Sequence, residues 1–410
     1  MLIEFSVKNF MSFKEKVTFS MEAGLGKENS GSVFAAGKYN LLKQTAIYGA
    51  NAAGKSGFIK ALTTAIMMVR LSNMNQVGIM NFIPTPFAFD DKTKDGCSDF
   101  EFVFIATDKV RYKYGYSADV HKVYKEYLYA YYTQKPTVIF NRTAPNKYAF
   151  LKEDERFLNG IVKHNIDNKL FLSTATAWGY DKTKPAFEWF AKSIDTFDNF
   201  ASIKLEDLRN LSLDKSDLKT FALELLKQSD IAIKDIVVKE IKNNMEGNGV
   251  FAAPINPFVP QVQFDIKMVH EVINEDGTKS DYLLDFVNES TGTKILFGLI
   301  PFLKRAYENN RVLVIDEFGT NLHPMLVSYI VKLFSSSMNK ANSQLIFTTH
   351  DTNLMAQLRR DQIWFINKDE NTGVSELYAL DEFSIREKEN FSKEYLNNRF
   401  GATPFIKEVL

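Results

Sequence analysis

One short stretch limits the folds open to this chain. Residues 46–62 read AIYGANAAGKSGFIKAL, and Gly49 through Ser56 fit the pattern G-x-x-x-x-G-K-[ST]. Four fixed positions match by chance on the order of once in a hundred chains of this length. The context agrees as well. A short apolar strand, TAIYG, runs into the glycine turn, and a helix is predicted from near Lys55 with Phe58, Leu62 and Ile66 on one face. In such a turn the backbone N–H groups of Gly49, Ala50, Asn51, Ala52, Ala53 and Gly54 point inward, and the following helix adds its positive end. This is a cradle for phosphate oxygens. Lys55 reaches the outer phosphates, and the Ser56 hydroxyl is placed for Mg²⁺.

A phosphate cradle needs acidic groups nearby, and RVLVIDEFGTNLHP at 311–324 offers them. Val312 to Ile315 form a buried strand that ends in Asp316 and Glu317. At a strand's C-terminal end Asp316 can hold Mg²⁺, while Glu317 can orient and deprotonate a water. Two solvated acids after a strand would look the same in isolation; the upstream cradle favours the chemical reading. One β-α unit later QLIFTTHD ends in His350, whose neutral imidazole can donate a hydrogen bond to a terminal phosphate. Finally, NESTGTKILFGLIPFL places Ser290, Gly292 and Thr293 at a helix start. Taken alone, these are capping residues, with Ser290 as N-cap. They also make a second, smaller anion site.

QVQFDIKMVH and DYLLDFV read as two strands joined through the turn residues EDGT, and from 292 onward helices alternate with the strands RVLVID and QLIFTTH, which implies a parallel sheet covered on both faces. Upstream the pattern differs. The opening segment alternates Ile3, Phe5, Val7 and Asn9 with Leu2, Glu4, Ser6 and Lys8, a strand expected to pair with KVTFSME at 16–22. Residues 23–42 read as a loop. Residues 97–150 alternate apolar and polar positions and are crowded with tyrosines, as in an antiparallel meander with Thr107 and Asp108 in one turn. Its lysines and tyrosines suit nucleic acid, but a sheet with one solvated face needs the same alternation, and that simpler reading is preferred. Residues 155–230 read as mostly helical, interrupted by a strand KLFLSTATA at 169–177, and 243–260 as a mobile Gly/Pro/Asn-rich loop.

Fifty basic residues balance fifty acidic ones, so net charge does not indicate nucleic acid. The single cysteine, Cys97, allows no internal disulfide. No signal peptide and no run of about 18 apolar residues is found, so a cytoplasmic protein without a membrane span is expected.

The cradle, the Ser-x-Gly helix start, the Asp-Glu strand end and the His strand end, in that order, resemble the ABC-type ATPase head of the SMC, RecF and OLD-like group. IEFSVKNFMSF is similar to the first strand of the SMC and RecF branch. THDTNLM, LRRDQIWFINKD, SELYALDEFSIR and YLNNRFGATPFI resemble bacterial abortive-infection and phage-defence ATPases, of the AbiL-like, RloA-like and PARIS types. The resemblance implies an α/β head with an antiparallel β lobe and a helical insertion. It implies that two heads sandwich two ATP molecules. Lys55 and Ser56 of one subunit would hold the phosphates, Ser290, Gly292 and Thr293 of the other would close over the γ-phosphate, and GTNLHP would cross between subunits. Asp316 and Ser56 would bind Mg²⁺, Glu317 would activate water, and His350 would sense the γ-phosphate.

Three positions depart from the pattern. Met11 stands where many relatives have an arginine, Gly57 replaces a polar residue after the cradle, and no glutamine marks a metal-sensing loop. Ser173 and Thr174 occupy that region instead.

The organisation expected is residues 1–175 as the N-terminal half of the head with the β lobe, 176–258 as helical insertion and mobile loop, and 259–410 as the C-terminal half. The function expected is ATP binding and hydrolysis coupled to homodimerisation, as sensor or scaffold of an anti-phage system. Sixty residues after His350 leave no room for an appended nuclease of about 100 residues, so a separate effector protein, a nuclease or toxin, is expected. A RecF/SMC-like repair ATPase, or a nucleotide-gated binding module that does not hydrolyse, are the alternatives.

Overall fold

A computed structural model describes residues 1–26, 29–144, 146–197, 203–229, 231–241, 263–384 and 390–404. The expected loop at 243–260 lies outside the described residues. Two strands open the chain, β1 (Leu2–Lys8) and β2 (Val17–Ser20), paired antiparallel with Phe5 opposite Phe19. A hairpin, β3 (Val33–Ala36) and β4 (Tyr39–Leu42), precedes β5 (Gln44–Tyr48) and α1 (Lys55–Leu71). The meander follows as β6 (Ser98–Ile105), β7 (Arg111–Ala118), β8 (Val123–Tyr131), β9 (Thr137–Ala144) and β10 (Lys147–Phe150). Short helices α2 (Glu155–Val162), α3 (Phe171–Ala177) and α4 (Lys184–Glu188) lead to β11 (Ile194–Phe197).

Helices α5 (Leu205–Ser212) and α6 (Asp217–Gln228) come next, then β12 (Asp235–Ile241), β13 (Gln263–Ile273) and β14 (Lys279–Asp285). The chain continues through α7 (Thr291–Asn309), β15 (Val312–Ile315), α8 (Pro324–Ser335) and β16 (Gln344–Thr348). It closes with β17 (Ile363–Lys368), β18 (Ser375–Ala379) and α9 (Phe391–Leu396).

The chain divides into two compact units. The first contains Met1–Thr196, Asn309–Phe318 and Val331–Leu410; the second contains Phe197–Glu308 and Gly319–Ile330. The first unit is built on two sheets. One is six-stranded, in the order β11-β15-β16-β5-β17-β18, with β15, β16, β5 and β17 parallel and β18 antiparallel to β17. Its central strands β5, β15 and β16 are buried along their whole length and mostly apolar, as strands covered on both faces are. The other is seven-stranded, in the order β10-β9-β8-β7-β6-β1-β2. The expected β lobe is therefore continuous with the opening strand pair.

Helix α1 joins the sheets. Phe58 lies 5.6 Å from Phe5, 6.1 Å from Phe13 and 5.6 Å from Phe19, and Phe19 in turn meets Trp364 of β17 at 5.1 Å. The inner face of the meander buries Phe100, Phe102, Phe104, Tyr112, Tyr114 and Tyr116. Glu101 of β6 holds Lys113 of β7 at 2.8 Å and Lys16, just before β2, at 3.1 Å, so these two lysines are already paired. That supports the simple two-faced sheet.

Three expectations need correction. Residues 171–177 form a helix, not a strand. The reason is distant in sequence: the buried Glu126 carboxylate of β8 accepts the N–H groups of Phe171 (2.6 Å) and Leu172 (2.9 Å). These are the helix-start donors that otherwise lack partners. Burial pushes the Glu126 pKa up, opposed by the nearby Arg142 and by those two N–H groups. Residues 33–42, expected as loop, form the β3–β4 hairpin, turning through Gly37 at φ 63°. The stretch expected to be helical also contains a strand at a different position, β11, which joins the six-stranded sheet beside β15.

Candidate functional site

The loop between β5 and α1 is shaped by close backbone approach. A Cβ at Gly49 would lie 2.4 Å from the Ile366 carbonyl oxygen, and one at Gly54 would lie 2.8 Å from both the Ser12 and Ser375 hydroxyls. Gly54 also has φ 120°, which side chains disfavour. Both fixed glycines of the motif are thus steric requirements. The Ser375 hydroxyl donates to the Ala53 carbonyl at 2.6 Å and fixes the loop from β18. No side chain caps the start of α1, so its first N–H groups remain available to an anion. The Lys55 ammonium folds back onto the loop, donating to the carbonyls of Gly49 (2.8 Å) and Ala50 (2.9 Å). Burial pushes the Lys55 pKa down, and the Glu317 and Asp316 carboxylates oppose that shift.

The acids sit on a tight turn at the end of β15. Glu317 holds φ 48°, a conformation rare and costly for a residue with a side chain. One residue of the neighbouring strand holds this turn. The Thr348 hydroxyl donates to Asp316 Oδ1 at 2.6 Å and accepts the Glu317 N–H at 2.7 Å. Its carbonyl accepts the Phe318 N–H at 2.8 Å. Asp316 Oδ1 also accepts the Glu317 N–H at 3.1 Å, which directs the other carboxylate oxygen away from this network. His350 follows two residues later on the same strand end. Partial burial and the Lys55 ammonium push its pKa down, with Glu317 opposing, so the imidazole is held toward its neutral form.

These groups share one cavity of about 420 Å³ within the first unit. Asn51, Ala52, Gly54, Lys55, Ser56, Glu317 and His350 line it. Gly49, Ala50 and Ala53 shape the loop behind the wall, and Asp316 stands next to Glu317 in the turn. The wall also takes in residues the sequence did not single out: Ser12, Lys60, Phe89 and Lys368. Met11, which stands where many relatives have an arginine, is on the wall too. Ser173 and Thr174 are not. Their hydroxyls are used internally, donating to the Val69 carbonyl (2.7 Å) and to Asn165 Oδ1 (2.6 Å).

Ser290, Gly292 and Thr293 belong to the second unit. The Ser290 hydroxyl accepts the Thr293 N–H at 3.1 Å, an N-cap bond, and shares a 2.8 Å hydrogen bond with the Thr293 hydroxyl. Gly292 has a steric reason as well, since a Cβ there would lie 2.6 Å from the Asn321 carbonyl oxygen.

The donor set fits a nucleoside triphosphate with Mg²⁺: free helix-start N–H groups, an ammonium, a hydroxyl at Ser56 and a carboxylate oxygen at Asp316. Among the described residues no cluster of three or more His, Cys, Asp or Glu side chains could hold a metal ion by itself. No helix of the described residues is long and apolar enough to cross a membrane.

Comparison with known proteins places these features in context. Residues 45–356 match the model of a family described as "AAA domain, putative AbiEii toxin, Type IV TA system". Among solved structures, the SMC head domain of Thermotoga maritima is 13% identical, with a TM-score of 0.40 over 94% of this chain and 99% of that one. An SMC head bound to the C-winged helix domain of ScpA is 14% identical, with a TM-score of 0.43 over 92% of this chain and 97% of that one. The recombination mediator RecF with ATP is 14% identical, with a TM-score of 0.37 over 92% and 97%. No curated protein gives a significant match.

Proposed function

The chain belongs to the AAA-domain family described as a putative AbiEii toxin of type IV toxin–antitoxin systems, and from that premise we propose that it binds and hydrolyses ATP. The observation that carries this reading is the single cavity where the Lys55 loop, the Glu317 turn and His350 converge. In the proposed reaction the cradle N–H groups and Lys55 hold the triphosphate. Glu317 takes a proton from a water as its oxygen forms a bond to the γ-phosphorus. The bond from that phosphorus to the β–γ bridging oxygen breaks, leaving ADP and phosphate. Mg²⁺, held by Ser56 and Asp316, would neutralise charge on the phosphates. His350, as a neutral imidazole, donates a hydrogen bond from its one protonated ring nitrogen to the γ-phosphate and reports its presence.

The reading extends to a homodimer in which Ser290, Gly292 and Thr293 of one subunit close over the γ-phosphate of the other. The resemblance to phage-defence ATPases supports reading it as a cytoplasmic sensor or scaffold that controls a separate effector, a nuclease or toxin.

Complementation tests the dimer. Lys55→Ala disables the cradle and Ser290→Arg obstructs the closing face. Each variant alone is expected to be inactive, and mixing them restores partial turnover, because one intact composite site forms only when the two residues come from different chains. No recovery, with mixed dimers confirmed by native mass spectrometry, would count against a shared site. Full activity of Ser290→Arg alone would reduce Ser290 to a helix cap.

A further inference from the structure

The cavity wall has two chemical characters. Lys55, Ser56, Glu317 and His350 suit phosphate, whereas Met11, Pro86, Ala88 and Phe89 are apolar. Phe89 stands out because its ring is 75% exposed although it lines a cavity. A single exposed ring says little by itself; this one is held in place. Its edge packs on the buried Phe87 at 5.7 Å and 82°. Behind it lies Gly373, where a Cβ would approach the ring to 3.1 Å. The segment carrying the ring is tied to the β1–β2 connection: Met11 N–H donates to the Thr85 carbonyl (2.7 Å) and Phe87 N–H to Asn9 Oδ1 (3.0 Å). The ring is thus fixed by its surroundings and still open to the cavity.

We propose that Phe89 is the stacking platform for the nucleobase, so that the site reads the face of a purine more than its edge. This rests on the ATP reading above. A base presents a π-face whatever its edge carries, and an aromatic side chain can bind that face without sequence-like discrimination. Among the described residues that line the cavity outside the cradle and Glu317, none carries a carboxylate or amide side chain, and the polar groups there are the Ser12 and Thr85 hydroxyls, the Lys60 and Lys368 ammoniums and the His350 imidazole already assigned to phosphate. Adenine and guanine nucleotides should therefore depend on Phe89 alike.

The test compares ATP, GTP and inorganic tripolyphosphate by calorimetric titration against wild type, Phe89→Ala, Phe89→Trp and Lys55→Ala. Phe89→Ala is expected to weaken ATP and GTP together by about 10-fold, within the range for loss of one base–aromatic stack, and to leave tripolyphosphate unchanged. Phe89→Trp should retain both nucleotides. Unchanged ATP affinity in Phe89→Ala overturns the proposal, as does an equal loss for tripolyphosphate. Loss of ATP without loss of GTP overturns it too, because the edge would then be read. Failure of the parent reading looks different: wild type would bind none of the three, or Lys55→Ala would bind all of them normally.

Discussion

Two helix starts in this molecule treat their free N–H groups in opposite ways. At α1 no side chain caps the helix, Gly54 keeps the turn open, and Lys55 rests on carbonyls it can leave. At α7 the Ser290 hydroxyl already accepts the Thr293 N–H. The first leaves its N–H groups open to an anion; the second has already committed the Thr293 N–H to a cap. An anion site is thus recognised by which N–H groups are left unpaired, more than by the presence of serine and glycine at a helix start.

The largest expected effect strikes the open start. Gly54→Ala puts a methyl group 2.8 Å from two hydroxyls at φ 120°, and ATP affinity should fall by about 100-fold, since strain of a few kcal/mol distorts the cradle. Calorimetric titration checks it. ATP affinity within a factor of about two of wild type would mean the turn is not what holds phosphate.

A smaller effect is expected one layer behind. Thr348→Val keeps the shape but removes the hydroxyl that holds Asp316 and the Glu317 N–H. Steady-state kinetics should show kcat lower by about 10-fold with little change in KM, and Thr348→Ser should restore most of it. A loss confined to KM would place Thr348 in substrate binding instead.

These cases show what the sequence could carry. The cradle and both strand ends were legible because the strand, the turn and its chemistry are contiguous there. The β3–β4 hairpin left a readable signal in its two-residue Gly37-Lys38 turn, and a run of loop-like composition masked it. Helix α3 left none, because FLSTATA is rich in residues that also suit strands, and the carboxylate that favours its helix start is 45 positions away in Glu126. Strand β11 is only four residues long and joins the sheet beside β15, far along the chain. Thr348 was in plain view in QLIFTTH, but nothing in a run of buried strand residues separates a positioning hydroxyl from an ordinary one. The site's acids were legible and the group that aims them was not.

The smallest expected effect concerns pH. His350 has its pKa lowered below the ordinary 6.5 by burial and by Lys55, so its neutral form persists as pH falls to that value. The acid limb of turnover should therefore be centred below 6.5, where the imidazole gains a proton. A pH–rate profile checks this. An acid limb centred above 6.5 would contradict the neutral role, and an unchanged limb in His350→Ala would assign it to another group.

The central claim is that this cavity hydrolyses what it binds, and Glu317→Gln tests it most directly. The substitution keeps the turn's shape and removes the proton acceptor. Single-turnover hydrolysis measured beside ATP titration should show turnover lower by about 100-fold or more with binding intact, and ATP should drive the variant into a heavier species by light scattering. Wild-type turnover in Glu317→Gln would contradict the account.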